Sequence, residues 1–369
     1  MGHAWIDGKP ATIDAATTEA AKVLAASRFP VVAGLGTDIA GARAAIALAQ
    51  RLGAAVDHMN ADAVFNDLDV LREAGMMVTT PTEARARGDT LLLVGTGLVS
   101  AWPELPQRLC TSRTAPDAGG AVRRIFWLCP GAGGERVLGA DAEATVIGHD
   151  PADLPVVLAA LRTRIAGRPV GRTPLPATSI DALAADLQSA RFGVAVWSAA
   201  ELDALTIEML CGMVKDLNAR TRFTGLPLAA GDNAAGILQA CGWLTGFPMR
   251  TAFGRSRPDH DPWRFDARRL VASGEADCVV WISAYRAATP EWTRDIPMIA
   301  LTAPGARWRH PARVQIEVGR PGVDHDAVEY LAATGALAPA LATKPSEAAS
   351  VARVISGIAA ALPAGARPC

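Results

Sequence analysis

Surplus charge of either sign is missing from this chain: Lys plus Arg number 36 and Asp plus Glu 37 over 369 residues. Without a summed field there is nothing to draw in a phosphate backbone or an anionic lipid surface from a distance, so neither nucleic acid nor membrane is expected as a partner. Long hydrophobic runs are missing too. The longest lie near residues 91–99 and 279–282, far short of a membrane span, and Met1-Gly2-His3-Ala4-Trp5-Ile6-Asp7 has neither a basic nor an apolar leader pattern. A cytoplasmic protein is the expectation. Paired cysteines are absent as well, since the six stand at 110, 129, 211, 241, 278 and 369. That spacing excludes zinc and iron–sulfur motifs. Several of these thiols sit in apolar segments such as Asp277-Cys278-Val279-Val280-Trp281, where cysteine serves as a small hydrophobe in a reducing compartment.

What is present is core material. Half the residues are hydrophobic and 20% are charged, a balance that folds compactly. Because single cores stop growing near ~250–300 residues, a chain of this length divides, and two domains are expected.

The pattern is α/β. A helical period over residues 17–26 leads into the apolar run Pro30-Val31-Val32-Ala33-Gly34, read as a buried strand, and then into the turn Gly34-Leu35-Gly36-Thr37. An alanine-rich helix over about 39–52 follows, Gly53 ends it, and Ala54-Ala55-Val56-Asp57 reads as the next strand. Such a β-turn-α-β unit makes a parallel pair. Further strands are expected at 90–97, at 122–128 before Cys129-Pro130-Gly131, and at 144–148, then a helix over 154–165 and a loop over 167–176. This alternation predicts doubly wound parallel sheets covered on both faces. The pattern also repeats weakly: Ser27-Arg28-Phe29-Pro30-Val31-Val32 resembles Ala190-Arg191-Phe192-Gly193-Val194-Ala195, and Gly88-Asp89-Thr90-Leu91 resembles Ala276-Asp277-Cys278-Val279. Two related α/β units account for that.

Four candidate sites follow. Gly34-x-Gly36-x-x-x-x-Gly41, with Asp57 closing the next strand, could cradle a dinucleotide's pyrophosphate on backbone N–H groups while the acid holds the ribose. The third glycine is displaced from the usual spacing, however, so the plainer reading is a tight β-to-α turn with Asp57 as a capping residue. For a metal, the candidates are His3, His58, His149, His260, His310 and His325, with Asp259 and Asp261 beside His260. No pair has i, i+4 spacing, and Arg257-Pro258-Asp259-His260-Asp261-Pro262 reads more simply as a polar turn. Cys129, before Pro130-Gly131-Ala132-Gly133-Gly134, is the least implausible nucleophile, but nothing basic is fixed beside it and a buried structural thiol is the better reading. Tryptophan is the unusual residue, nine against two tyrosines. Six of the nine, at 197, 243, 263, 281, 292 and 308, fall in the second half, and some are expected at a partner surface.

The segment Gly231-Asp232-Asn233-Ala234-Ala235-Gly236, continuing through Cys241-Gly242-Trp243-Leu244-Thr245-Gly246-Phe247-Pro248, resembles the G-x-N-x-x-G…W-x-T-G-[YF]-P stretch found in the B subunit of formylmethanofuran dehydrogenase. That family consists of molybdopterin or tungstopterin oxidoreductases. The likeness continues through Gly274-Glu275-Ala276-Asp277, through Gly34 to Asp57, and through Gly88-Asp89…Gly95 with Trp102-Pro103. It departs from the catalytic members in two places. They carry an N-terminal cysteine-rich iron–sulfur segment, whereas here no cysteine precedes Cys110; and their metal-ligating cysteine falls, by spacing, near Ala63-Val64-Phe65, none of which can donate a thiolate.

As a cofactor-free relative of those oxidoreductases, the chain is similar to the B subunits of bacterial formyltransferase/hydrolase complexes. The resemblance implies a non-catalytic, structural subunit without cofactor, metal or catalytic residue of its own. In that family the complex moves a formyl group from tetrahydromethanopterin to a methanofuran-type carrier and releases formate. The implied partners are an amidohydrolase-like, metal-dependent subunit, a formyltransferase subunit and a third subunit. The implied fold is two Rossmann-like domains of the molybdopterin-oxidoreductase type, a discontinuous one (1–60 plus 236–369) and an inserted one (61–235). A vestigial pterin cleft would lie at Gly231, Asp232, Asn233 and Gly236. The reading from another class is an NAD(P)-dependent dehydrogenase using Gly34, Gly36 and Asp57.

Overall fold

The structure, a computed structural model, describes residues 4–110, 122–132, 138, 144–254, 257–292 and 296–363. Strands β1 (Ala4–Ile6) and β2 (Lys9–Ala11) form a hairpin, and Thr12 caps α1 (Ile13–Ala26) by accepting from Ala15 N. Next come β3 (Pro30–Gly36), α2 (Ile39–Leu52) and β4 (Ala55–Val56). The helix α2 ends where expected, at Gly53 in the left-handed conformation.

The chain continues through α3 (Ala61–Glu73), α4 (Pro81–Arg87), β5 (Thr90–Val94), α5 (Leu98–Ala101), α6 (Leu105–Arg108), β6 (Arg124–Leu128) and β7 (Thr145–Ile147). It then forms α7 (Leu154–Ile165), α8 (Ala177–Gln188), β8 (Gly193–Ser198), α9 (Ala204–Leu217) and β9 (Phe223–Leu228). The remainder is α10 (Ala234–Thr245), β10 (Thr251–Ala252), β11 (Asp259–His260), α11 (Ala267–Ser273), β12 (Cys278–Ser283), β13 (Met298–Thr302), β14 (Val314–Glu317), β15 (Ala327–Leu331), β16 (Ala336–Ala340) and α12 (Val351–Ala361).

These elements gather into two compact units. Unit 1 takes residues up to Ala61, Gly231–Tyr330 and those from Leu337 onward; unit 2 takes Asp62–Ala230 and Leu331–Ala336. The sheet of unit 1 has the order β11-β10-β4-β3-β12-β13-β14-β1-β2. Its middle, from β4 to β14, is parallel, and an antiparallel flap closes each edge. The expected polar turn at 257–262 therefore contains a short edge strand, Asp259–His260, paired with β10. Two-residue strands of this kind leave no period for a sequence pattern to show.

Unit 2 holds a parallel sheet of order β7-β6-β5-β8-β9. Its apolar runs are explained by burial on both faces: Leu92, Val94, Ala195 and Trp197 join the core made with α7, α8 and α9, while the alternating Leu91, Leu93, Val194 and Val196 join the core made with α4, α5 and α6. A side-chain period of two with both faces covered gives a continuous hydrophobic run. The expected α/β class with parallel sheets is thus what the chain builds. No described helix is long and apolar enough to cross a membrane.

Candidate functional site

In both units the strand order reverses beside the first strand, between β3 and β12 in unit 1 and between β5 and β8 in unit 2. Ligands of open α/β sheets bind outside the carboxyl ends of strands at such a reversal. The sequence candidates Gly34, Gly36, Asp57, Asp232, Asn233 and Gly236 all belong to unit 1, and its reversal is where they are tested.

The strand β3 leaves the sheet through two left-handed residues, Gly34 at φ +75° and Leu35 at φ +50°. A Cβ on Gly34 would stand 2.6 Å from the carbonyl oxygen of Ile282 on the neighbouring strand. One on Gly36 would meet Met59 Cε at 3.0 Å and Asp232 Cβ at 3.3 Å, and one on Gly41 would collide with the Thr37 hydroxyl. Each glycine is therefore explained by the protein's own atoms. The buried Asp38 side chain caps α2, accepting from Gly41 N at 3.0 Å. A carboxylate thus sits where a dinucleotide would place its pyrophosphate, and the two negative groups exclude each other.

Asp57 is equally committed. Its buried carboxylate accepts from His58 N at 2.8 Å, from Ala267 N at 2.9 Å and from Arg250 Nε at 3.4 Å, while Arg250 also pairs with Asp266 at 2.7 Å. Ala267 is the first residue of α11, so Asp57 caps a helix from a distant strand and cannot reach a ribose. Burial pushes this carboxyl up to about 7 against the opposite pull of the Arg250 guanidinium. The dinucleotide reading of Gly34, Gly36 and Asp57 is corrected on these two grounds, and the capping alternative is the one the fold adopts.

His58 is buried with both ring nitrogens in use. The Asn60 N–H donates to Nδ1 at 3.0 Å, which leaves the proton on Nε2, and Nε2–H donates to the Asp232 carbonyl at 3.0 Å. Burial holds this ring neutral and lowers its pKa to about 4. No lone pair remains for a metal, so His58 is withdrawn as a possible ligand.

Around it, residues 231–236 close the crevice. Asp232 and Asn233 both have positive φ, 56° and 61°. The Asp232 carboxylate accepts from Arg286 Nε at 2.9 and 3.0 Å, from Arg286 Nη2 at 2.8 Å and from Asn60 Nδ2 at 3.2 Å. Asn233 Nδ2 donates to Thr37 O at 2.9 Å, and its Oδ1 accepts from Tyr330 N at 2.9 Å. The Tyr285 hydroxyl donates to Glu329 at 2.6 Å, and burial beside that carboxylate raises its pKa. Gly236 is needed because a Cβ there would collide with the Asn233 amide, whereas Gly231 has nothing within 4 Å of its Cβ direction. Polar residues that looked like a ligand cradle are hydrogen-bonded to one another.

The remaining candidates do not converge. Ala63 and Val64 lie half-buried in the first turn of α3, and Phe65 is buried, so none of these three side chains offers a donor atom. Cys110, Cys129, Cys211, Cys241 and Cys278 are all buried. Burial pushes Cys129 up to about 11 and the other four up to about 12, which leaves thiols rather than thiolates. These residues do not fit a molybdenum or tungsten centre, which requires a soft anionic ligand. Among the described residues no group of three His, Cys, Asp or Glu side chains is placed to hold a metal ion.

His260 Nδ1 donates to Arg250 O at 2.9 Å, and its ring stacks on Phe247. His325 donates to Asp326 O, His149 is exposed, and His310 lines a cavity of ≈ 720 Å³ with Trp308, Met298 and Arg309. His3, Gly133, Gly134 and Cys369 lie outside the described residues. The tryptophans divide sharply: Trp197 and Trp281 are core, while Trp243 and Trp263 are 66% and 72% exposed.

Sequence reasoning missed Asp38, Met59, Asn60, Tyr285, Arg286 and Glu329. Only Asp38 carried a signal, a cap residue directly before an apolar helical period. Arg286 finds Asp232 across 54 residues, a pairing no local pattern announces.

No family model matches the chain. Among known proteins it is 34% identical over 365 residues to the B subunit of the formyltransferase/hydrolase complex Fhc of Methylorubrum extorquens, covering 96% of this chain and 95% of that one. It is 24% identical over 291 residues to the B subunit of the tungsten-containing formylmethanofuran dehydrogenase 2 of Methanocaldococcus jannaschii, covering 75% of this chain and 65% of that one. Among solved structures it superposes with a TM-score of 0.84, at 35% identity, on a chain of the M. extorquens formyltransferase/hydrolase complex FhcABCD in complex with methylofuran, covering 96% of this chain and 97% of that one.

Proposed function

We propose, for a chain that belongs to the family of formyltransferase/hydrolase complex B subunits, that it is a component of such a complex and performs no chemistry itself. It works in the cytoplasm with an amidohydrolase-like, metal-dependent subunit, a formyltransferase subunit and a third subunit. The assembly moves formyl from tetrahydromethanopterin to a methanofuran-type carrier and releases formate. Its two units are Rossmann-like domains of the molybdopterin-oxidoreductase type, one inserted in the other, with crossings near residues 60 and 235.

The observation that carries the non-catalytic reading is the first turn of α3. Ala63 and Val64 stand near the position where, by spacing, the resemblance to the pterin-dependent oxidoreductases implies a metal-ligating cysteine, and neither side chain has a donor atom to hold the metal. The closed crevice beside β3 supports it, since Asp57, His58 and Asp232 have no capacity left for a substrate. Purified chain is expected to carry no stoichiometric tungsten, molybdenum or iron, to show no iron–sulfur absorbance, and to give no heat on titration with NAD or NADP. It is expected to co-purify with the formyltransferase and hydrolase subunits. Turnover of formylated carrier by the isolated chain, or a seated pterin, would sink the proposal.

A further inference from the structure

Beyond its first few positions, the stretch of residues 233–249 does nothing in the closed crevice. It contains no charged residue. The helix at its centre, α10, buries Ala234, Gly236, Ile237, Ala240 and Cys241 against unit 1. A helix that is hydrophobic all round is normally buried all round. Here the outer side is bare: Trp243 is 66%, Leu244 49% and Phe247 40% exposed.

Gly242 gives an independent sign. Glycine inside a helix costs about 1 kcal/mol relative to alanine, so it persists where a side chain would collide. That explains Gly41 and Gly236, whose Cβ positions are occupied by neighbouring atoms; Gly242 is exposed and nothing lies within 4 Å of its Cβ direction. The space a side chain would take is empty in the single chain.

Beside this face runs a groove of ≈ 400 Å³ between Leu244 and the outer side of α2, lined by Ala40, Arg43, Ala44, Ala47 and Gln50. The alanines fall at i, i+4 and i+7, one small-residue trough along a helix. Arg43 is its only charged side chain and has no ion pair or hydrogen bond to any described residue.

We infer that Gly242, Trp243 and Leu244 of α10, together with the alanine trough of α2, form the seat for an apolar helix of another subunit of the complex, one that carries a carboxylate opposite Arg43. Close backbone approach at Gly242 and the alanines suits a helix, since two helices approach to ~8 Å only when small residues line the contact. Trp243 supplies the large ring typical of residues that dominate binding. A second copy of this chain fits less well, because a two-fold contact pairs a patch with itself and sets the cationic Arg43 near its own copy. The inference rests on the complex-subunit reading above and names the surface that reading requires.

The test is reconstitution of the full-length chain with the other subunits, followed by size exclusion and titration. Leu244→Glu and Arg43→Glu are each expected to weaken assembly by about 30-fold, the range of a central contact, with the thermal midpoint of the isolated chain unchanged. Gly242→Ala is the sharpest variant, because helix propensity raises the isolated chain's midpoint by roughly 2 °C while the added methyl weakens assembly. A photo-crosslinker at Trp243 is expected to label another subunit at positions spaced three or four apart. If wild-type chain assembles and all three variants assemble equally well, the seat is overturned. Crosslinks within a homodimer, or loss of self-association alone, overturn it too. If wild-type chain does not assemble at all, it is the complex-subunit reading that fails.

Discussion

The two units begin their central strand pairs in the same way and end them differently. Before β12, Asp277 accepts from the backbone N–H groups of Arg28 and Phe29 at 2.8 and 3.1 Å, and its own N–H donates to Phe29 O. Before β5, Asp89 accepts from Arg191 and Phe192 N–H at 2.9 and 3.3 Å, and its own N–H donates to Phe192 O. The registers match as well, Cys278 beside Pro30 and Thr90 beside Gly193. The weak sequence repeat is therefore a physical device: a carboxylate satisfies the N–H groups of an Arg-Phe step and fixes the register of two parallel strands. At the carboxyl ends the likeness stops. Unit 1 fills its reversal with Asp38, Met59 and Asp232, whereas unit 2 has Gly95 and Gly97, both at positive φ, and an exposed Glu201 that accepts from Thr96. Shared entry and divergent exit teach that the sheet's register and its crevice are set by separate residues.

That contrast can be broken most forcefully at the glycines. Gly34→Ala forces a left-handed side chain, about 1–2 kcal/mol, onto a backbone carbonyl that cannot give way, about 1–3 more; a loss near ~4 kcal/mol is expected in urea unfolding. Gly97→Ala meets only the Glu201 side chain, at Cγ, Cδ and Oε1, and that exposed side chain is able to swing aside, so about 1–2 kcal/mol is expected. Equal losses would erase the distinction between a filled and an open reversal.

Acid sharpens it next. His58 has its folded pKa lowered to about 4 from 6.5, so the stability of its neutral ring is fully present above 6.5 and is lost as pH falls toward 4, roughly 3 kcal/mol in all. In unit 2, burial raises Asp67 to about 6 against its hydrogen bond from Trp197. Its sign is opposite: the fold holds that proton more tightly, and stability declines as pH rises from about 4 to 6. Asp57 works in the same sense as Asp67, so the contrast is read by difference. Wild type minus His58→Asn should lose stability on acidification, and wild type minus Asp67→Asn should gain it.

The shared device comes third. Asp89→Ala strips one buried and one part-buried N–H group of their acceptor, about 3 kcal/mol. Asp277, whose side chain is 31% exposed, allows water to substitute, and about 2 kcal/mol is expected. A negligible effect at either would mean the strand pair is registered by packing alone. The smallest effect belongs to Arg286→Ala, about 1 kcal/mol, because the guanidinium that closes over Asp232 is itself 58% exposed and partly screened. Backbone amide exchange at residues 231–233 should quicken even where the midpoint hardly moves.

Much of this was legible beforehand. The long helix α2 runs from Ile39 to Leu52 and α7 from Leu154 to Ile165, as their periods and the terminal Gly53 foretell. The buried strands β3, β5 and β8 are continuous apolar runs bounded by glycine or an Arg-Phe step, which is strong local information. The antiparallel flaps were not legible, because two or three residues carry no period. Nor was the fate of the candidate site. The sequence marks Asp57 as an acid closing a strand, His58 as a metal candidate and Asp232 and Asn233 as a vestigial cleft, but what consumes them comes largely from Ala267, Arg286 and Tyr330, far along the chain. Sequence marks where polar groups gather; whether they face a guest or each other is decided by tertiary partners.

One contact in that cluster has a use of its own. Asn60 Nδ2 donates to Gly231 O at 2.9 Å, and these two residues flank the longer of the two segments by which the chain leaves unit 1 and returns to it. A departure and a return that touch allow excision: about two or three glycines grafted from Asn60 to Gly231 span the gap without bending a strand. The shortened polypeptide should keep the His58 hydrogen bonds, and it offers the α10 seat on a minimal scaffold for titration.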